Sequence, residues 1–385
     1  MELEPNDVQR AVEETARAYA RERVAPAAAE NDRRARFPTE IVRGLGELGL
    51  LAVNVPASLG GSEAGAVAYA LAVMQIAQAD CSVAVTMAVT NMVAEAITWF
   101  GTDRARNHFV PRIASGEAIA GAFGLSEPQS GSDAAALRTR ATRRDGRWVL
   151  EGEKQWITSG DVAGAIVVWA RTDPGSTGAK GVGAFVVEGG AKGLSVGRHE
   201  EKMGVRASST VSLALDGVEV EDWAVLGTAG DGFRIALAAL DGGRIGIASQ
   251  AAGTIRAALD ASVRYAKDRK AFGVSIAEHQ AVAFMLADMA VEADTARLMA
   301  LRAAALKEAG QPFSREAAMA KLWASEASQR AVNRAVQIHG GYGYTAEFQV
   351  ERLFRDARVQ TLYEGTSEVQ RLVIARDLLR EQART

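Results

Sequence analysis

TRRDGRWVLEG, residues 142–152, decides how the chain reads. Asp145-Gly146 stands between extended flanks rich in β-prone residues. Asp-Gly readily supplies the two positive φ angles of a type I′ turn, so the stretch predicts a β-hairpin. SLALDGVEV, residues 212–220, repeats the pattern at Asp216-Gly217 and predicts a second hairpin. AIVVWART (165–172) and VGAFVVEGG (182–190) are apolar runs of strand length. Several short strands without intervening helices predict a small antiparallel barrel or sandwich over 119–225.

Outward from this zone, both ends read as helix. In 1–118, Asn6 and Asp7 are good caps ahead of Val8, Val12, Ala16 and Tyr19, which share one helical face. Further helical segments are predicted around 38–50, 63–80 and 83–100. In 226–385, residues 231–268 lack proline and repeat apolar residues at helical spacing. Ser275 to Glu278 is a capping box opening the next helix. Gly310, Pro312 and Ser314, then GGYGY at 340–344, punctuate later boundaries, and the helices are long enough for an antiparallel bundle.

With 48% hydrophobic and 24% charged residues, the 385-residue chain has an ordinary globular composition. A net charge of −3 gives no footprint for nucleic acid, and Arg33, Arg34 and Arg36 read as a solvated face. Cys81 is the one cysteine, so no disulfide can form within the chain. His108, His199, His279 and His339 are scattered, without metal-ligand spacing. The N-terminus is acidic and lacks an apolar core segment, so no signal peptide is expected. No membrane span is expected either, and the expected location is cytoplasmic.

Gly44, Gly46 and Gly49 match G-x-G-x-x-G, but a helical pattern precedes them where a dinucleotide site needs a strand. They read as a helix stop, with an extended segment after it. FGLSEPQSGSD (123–133) offers backbone amides and hydroxyls to a polar ligand, or is simply a polar loop. GEKQWITSG (152–160) sets Trp156 near Thr158, which suits a planar cofactor or an ordinary strand core. Asp241 and Arg244 are three apart on one helical face. YAKDRKAFG (265–273) closes a long helix, and QIHGGYGY (337–344) holds adjacent glycines that admit a close ligand. TLYEGTSEVQR (361–371) puts Glu364 ahead of a capped helix, with Ser367 to Gln370 as its capping box.

In this order and at these separations, the motifs resemble the acyl-CoA dehydrogenase family across essentially the whole chain. GRIGIASQA, EAAMAKLWASEA, KMGVRASST and RDARVQTLYEGTSEVQRLVIA are most similar to its short-chain (butyryl-CoA) branch. The resemblance implies an α+β fold: an N-terminal helical domain (1–118), a middle antiparallel β-barrel domain (119–225) and a C-terminal four-helix bundle (226–385). It implies FAD as cofactor, a homotetramer built as a dimer of dimers, and a place in fatty-acid β-oxidation.

Site residues follow from the same resemblance. Phe123, Leu125, Ser126, Gly131, Ser132, Trp156, Ile157 and Thr158 would hold the flavin ring, with Thr158 near its reactive N5. Ser126 stands where threonine is commoner. Arg269, Phe272, Gln280, Gln337, Ile338, Gly340 and Gly341 would bind the adenine dinucleotide end from a neighbouring subunit. Thr366 and Glu368 would touch the same subunit's flavin. Ser132, Asp241, Arg244 and Gly365 would contact acyl-CoA. Glu364 matches the catalytic base, which takes the α-proton while the β-hydrogen leaves as hydride to FAD N5, giving a trans-2-enoyl-CoA. An acyl chain over it would raise its pKa, while in the empty site the nearby helix N-terminus favours the ionised form. The isovaleryl branch carries its base at the position of Gly243, which cannot serve here. The expected electron acceptor is electron-transferring flavoprotein. An oxidase, a flavin hydroxylase, an enzyme for branched or carrier-protein-bound thioesters, and a silent scaffold are the alternatives.

Overall fold

The computed structural model describes residues 4–382; the outermost residues of the first and third expected segments, 1–3 and 383–385, lie outside it. The chain begins with α1 (Asp7–Tyr19), a π-turn (Ala20–Val24), α2 (Ala25–Arg34) and α3 (Thr39–Glu47). Asn6 caps α1 through a reciprocal box with Gln9, the two amides donating over 2.9 and 3.0 Å. Arg33, Arg34 and Arg36 are exposed, as expected of a solvated face. The G-x-G-x-x-G stretch ends α3: Gly49 adopts φ +71°, and the Leu50 amide closes back on the Leu45 carbonyl over 2.8 Å. Residues 51–55 form successive buried turns instead of the extended segment expected.

Two apolar helices follow, α4 (Gly65–Ala79) and α5 (Cys81–Phe100), then α6 (Asp103–Ala114). By length and composition alone α5 is long and apolar enough to cross a membrane, with a mean hydropathy of 1.4. Of that window 83% is buried inside the protein, which makes α5 a core helix between the sheet and the helical layers.

The sheet comprises β1 (Gly121–Gly124), β2 (Arg140–Arg144), β3 (Arg147–Thr158), β4 (Ala165–Arg171), β5 (Val182–Glu188), β6 (Leu194–His199), β7 (Thr210–Glu221) and β8 (Val225–Leu226). Its order is β6-β7-β3-β2-β4-β5-β8, with β1 also on β4. Asp145 and Gly146, at φ +50° and +81°, make the expected two-residue turn, with Arg144 facing Arg147. The expected second hairpin is absent. Leu150 pairs with Val218 and Glu151 with Asp216, leaving Gly217 (φ +69°) as an extra residue inside β7. Asp-Gly suits a bulge as well as a turn; the long partner β3 decides, because pairing continues on both sides of the bulge.

The sheet also departs from all-antiparallel. Gly121 to Gly124 run parallel to Ala165 to Val168 of β4, and Arg140 runs parallel beside Arg171. β1 and β2 therefore act as one strand along β4, interrupted by residues 125–139. That excursion is the Gly/Ser-rich loop singled out in the sequence.

The remaining helices are α7 (Gly232–Asp268), α8 (Gln280–Glu308), α9 (Ser314–His339), α10 (Gln349–Ala357) and α11 (Ser367–Gln382). A small hairpin of β9 (Lys270–Ala271) and β10 (Val274–Ser275) links α7 to α8. Ser275 caps the short 3₁₀ turn that leads into α8, with Glu278 completing the box. Buried alanines such as Ala251, Ala258, Ala296, Ala303, Ala324 and Ala331 line the shared core, and small side chains let these helices pack closely.

Candidate active site

The segment between α10 and α11 carries two consecutive left-handed residues, Glu364 (φ +53°) and Gly365 (φ +86°). A glutamate in that region is strained, and strain of this kind persists only where surrounding contacts fix it. Those contacts are present. The Gln370 side-chain amide donates to the carbonyls of Glu364 (3.1 Å) and Gly365 (2.9 Å). Lys321, fully buried on α9, donates from Nζ to the Gly365 carbonyl over 2.7 Å. Tyr363 donates its hydroxyl to Gln250 Oε1 on α7, and Gln250 Nε2 donates to the Cys81 carbonyl over 2.8 Å.

The expected capping box at Ser367 and Gln370 is corrected. Thr366 Oγ1 accepts from the Val369 amide (3.3 Å), so Thr366 is the cap. Gln370 points back to the loop because that loop's left-handed turn presents two carbonyls to it.

Glu364 Oε2 is buried and has no hydrogen-bond partner. Its space is provided by Gly243: a Cβ there would stand 2.6 Å from Oε2 and 2.9 Å from Met92 Sδ. Burial pushes the Glu364 carboxyl up to about 7, with the Arg244 and Lys321 charges opposing. Desolvation thus outweighs the helix N-terminus that was expected to favour the ionised form in the empty site. Among the described residues the Glu364 amide has no acceptor.

Arg244 is buried and paired with Asp241, which also accepts from Ser314 Oγ over 3.0 Å. Burial raises the Asp241 carboxyl, with Arg244 opposing. Arg244 Nε is buried without a partner. A cavity of about 130 Å³ opens beside Met92, lined by Tyr69, Met92, Ala96, Phe100, Ala238 and Ala239 and bounded by Glu95, Trp99, Gly242 and Lys307. Glu95 and Lys307 are ion-paired at its edge.

A second group forms on the sheet. Lys154 pairs with Leu213 and Ile157 with Val211, so β3 carries an extra residue there. Trp156 sits in this bulge at φ +63°, 60% exposed, and is thus not a core tryptophan. Ile157 faces the core, while Thr158 is part-exposed at the strand's end. The bulge is tied to the 125–139 loop, because the Gln155 amide donates to the Ser126 carbonyl (2.9 Å). Glu127 holds both ends of that loop: its carboxylate takes the Lys154 ammonium (2.8 Å) and the amides of Arg138 (2.6 Å) and Thr139 (3.0 Å). Burial raises this carboxyl, but Lys154 and the donors pull it down to about 2. Gly131 and Ser132 are exposed on the loop, Phe123 is half-buried against Trp169, and Leu125 is buried.

The third group lies on the C-terminal helices. Arg269, Ile338, Gly340 and Gly341 line a cavity of about 420 Å³ with Tyr265, His339 and Tyr342. The turn between β9 and β10 is Phe272-Gly273, at φ +54° and +87°, and Phe272 is 95% exposed. Gln280 and Gln337 are exposed nearby in sequence, and Glu368 is exposed at the start of α11.

The residues fit a flavin dinucleotide. An exposed indole on a strained bulge beside an open Gly/Ser loop suits a flat ring. Among the described residues Arg269 has no carboxylate partner, and Cβ atoms at Gly340 and Gly341 would meet nothing, which suits a phosphate-bearing chain. Sequence reading did not single out Lys321, Gln250, Glu127 or Lys154. Each is a buried polar residue whose partner is far along the chain, so no local pattern marks it.

Residues 6–117, 122–218 and 230–379 match the N-terminal, middle and C-terminal domains of acyl-CoA dehydrogenases. The bovine mitochondrial short-chain specific acyl-CoA dehydrogenase is 45% identical over 95% of this chain and 89% of its own length. The butyryl-CoA dehydrogenase structure from Megasphaera elsdenii superposes with a TM-score of 0.96 at 38% identity, covering 98% of this chain and 100% of that one. A chain solved in work on the electron transferring flavoprotein of Acidaminococcus fermentans superposes with a TM-score of 0.97 at 39% identity, covering 99% and 100%.

Proposed function

Because the chain belongs to the acyl-CoA dehydrogenase family of FAD-dependent oxidoreductases, we propose that it dehydrogenates a short-chain acyl-CoA between its α and β carbons, with Glu364 as the base. The observation that carries this reading is the buried, unpartnered Oε2 of Glu364 at Gly243, next to Met92 and Gly242 of a largely apolar cavity.

A free glutamate is a weak base. With its carboxyl lifted to about 7, Glu364 accepts a proton more readily and is still largely ionised slightly above neutrality. Its own amide, which lacks an acceptor among the described residues, would donate to the thioester oxygen, and that hydrogen bond would stabilise the developing enolate. When bound, FAD supplies the acceptor for the hydrogen and electron pair that leave the β-carbon. Trp156, Thr158 and the 125–139 loop would hold its ring, and Arg269 with Gly340 and Gly341 the dinucleotide end. Arg244, whose Nε lacks a partner, would orient acyl-CoA with Asp241, Ser132 and Gly365.

A cavity of about 130 Å³ supports a short chain, since an apolar cavity of about 150 Å³ accommodates benzene. The similarity to a chain solved in work on an electron transferring flavoprotein supports that class of protein as electron acceptor.

The test is anaerobic reduction. Butyryl-CoA should bleach the bound flavin of the wild type, and octanoyl-CoA should do so more slowly. Glu364→Gln should lower the reduction rate by about 10²–10⁴-fold while retaining FAD. Reduction at the wild-type rate in this variant would remove Glu364 from the role.

A further inference from the structure

Lys321 is the least expected residue in the site. It is a lysine of α9 with no exposed surface. A buried ammonium ordinarily needs a carboxylate within ion-pair distance. Among the described residues it has none, and its recorded hydrogen bond is the one to the Gly365 carbonyl, 2.7 Å away. That carbonyl belongs to the residue after Glu364, in the strained turn that aims the Glu364 side chain at Gly243.

The other charges around Glu364 are already matched. Arg244 of α7 is paired with Asp241 of the same helix. Glu95 of α5 is paired with Lys307 of α8 across the cavity. Glu326 of α9 is paired with Arg371 of α11. Tyr69 of α4 and Tyr363 of the loop are neutral phenols, their hydroxyls pushed further up by burial. Glu368 of α11 is exposed, and Arg371 also acts on it. Of the two charges that act on Glu364, Arg244 is paired, and the Lys321 ammonium, among the described residues, is not.

We propose that Lys321 is a positioning residue for the dehydrogenation: its ammonium fixes the Gly365 carbonyl and supplies the balancing charge that keeps Glu364 ionised in a desolvated site. The inference rests on Glu364 being the base. Mutual electrostatic support between the two groups is consistent with it, since the Lys321 charge draws the Glu364 carboxyl down and Glu364 holds the lysine's proton on against burial.

The sign follows directly. The base must be deprotonated, so the rate rises with pH through the Glu364 pKa. Removing the positive charge moves that rise to higher pH. Lys321→Met should shift the acid limb of kcat/KM for butyryl-CoA upward by roughly one pH unit and lower the rate at pH 7 about fivefold. Lys321→Arg, which keeps the charge, should retain the wild-type limb even if its rate falls. If Lys321→Met does not hold FAD, Lys321→Gln keeps a donor to Gly365 without the charge and should show the same upward shift.

A limb that stays at its wild-type pH in the neutral variants, whatever their rate or thermal stability, would reduce Lys321 to a structural strut and overturn the proposal. Glu364→Gln, run alongside, separates the two failures. An active Glu364→Gln enzyme removes the base itself. An inactive one with an unmoved limb in the lysine variants removes only the role of Lys321.

Discussion

Glu364 and Gly243 share a volume that only one side chain can fill. With a Cβ 2.6 Å from Oε2, Gly243→Ala should displace the carboxylate without unfolding the long helix α7, where alanine is the better helix former. Misplacing a reacting group by about 1 Å costs roughly 10²-fold, so flavin reduction should slow by about that factor while FAD content and thermal midpoint hold. The same carboxyl, as the proposed base, should set the pH response. Lifted to about 7 by burial, it should give kcat/KM an acid limb near pH 7, rising toward alkaline pH. A limb near pH 4.5, the ordinary carboxylate range, would mean that another group controls the rate. At this scale the sequence exposed Glu364 because its motif is contiguous. It hid Lys321 and Gln250, whose contacts reach 44 and 113 residues along the chain and leave no periodic trace.

At the scale of elements, the helices were legible and the sheet only partly so. Helix α1 announces itself by Asn6 and Gln9, and α7 by a proline-free apolar period. The same Asp-Gly pair makes a hairpin at 145–146 and a bulge at 216–217, because the partner strand, not the dipeptide, decides. The bulge at Trp156 and the interrupted strand β1–β2 are likewise products of pairing, and they are what present the indole and the Gly/Ser loop. Phe272 is displayed by a comparable device. A phenylalanine in the left-handed region costs about 1–2 kcal/mol and glycine about 0.5–1 kcal/mol of chain entropy, so Phe272→Gly should stabilise the FAD-free protein by up to about 1 kcal/mol yet weaken FAD retention. Equilibrium unfolding and flavin release measure the two effects, and unchanged retention would deny Phe272 a place at the cofactor.

A third element effect concerns Asp356 on α10, buried, accepting from the Val205 amide at 2.5 Å. Burial, with Asp80 adding to it, raises its carboxyl to about 7. The native state then holds a proton that the unfolded chain releases near pH 4. Stability should therefore decline as pH rises from about 4 through 7, by on the order of 4 kcal/mol from this group. Asp356→Asn should flatten that decline in a series of unfolding curves across pH, and an unchanged slope would assign it to other groups.

At the scale of the whole molecule, the helical bundle leaves apolar side chains in rows. On α8, Phe284, Val291 and Leu298 are 61%, 63% and 45% exposed at intervals of seven, so they form one outward stripe. On α11, Leu372 and Leu379 repeat the interval at 63% and 68%. Seven-residue stripes of this kind are seams for packing helix against helix, and burying them stabilises by about 25 cal/mol for each Å² removed from water. Phe272 and the cavity beside Arg269 lie on the same C-terminal half of the chain as the stripes. If the assembly that covers the stripes also sets those groups against another subunit, a neighbour completes each cofactor site. The protein should behave as a homotetramer in light scattering. Val291→Glu, placing a charge in the middle of the α8 stripe, should yield a smaller species and at least a tenfold loss of FAD affinity. A fully tetrameric Val291→Glu protein would exclude this face from assembly. A smaller species that keeps its flavin would show that each chain holds its cofactor alone.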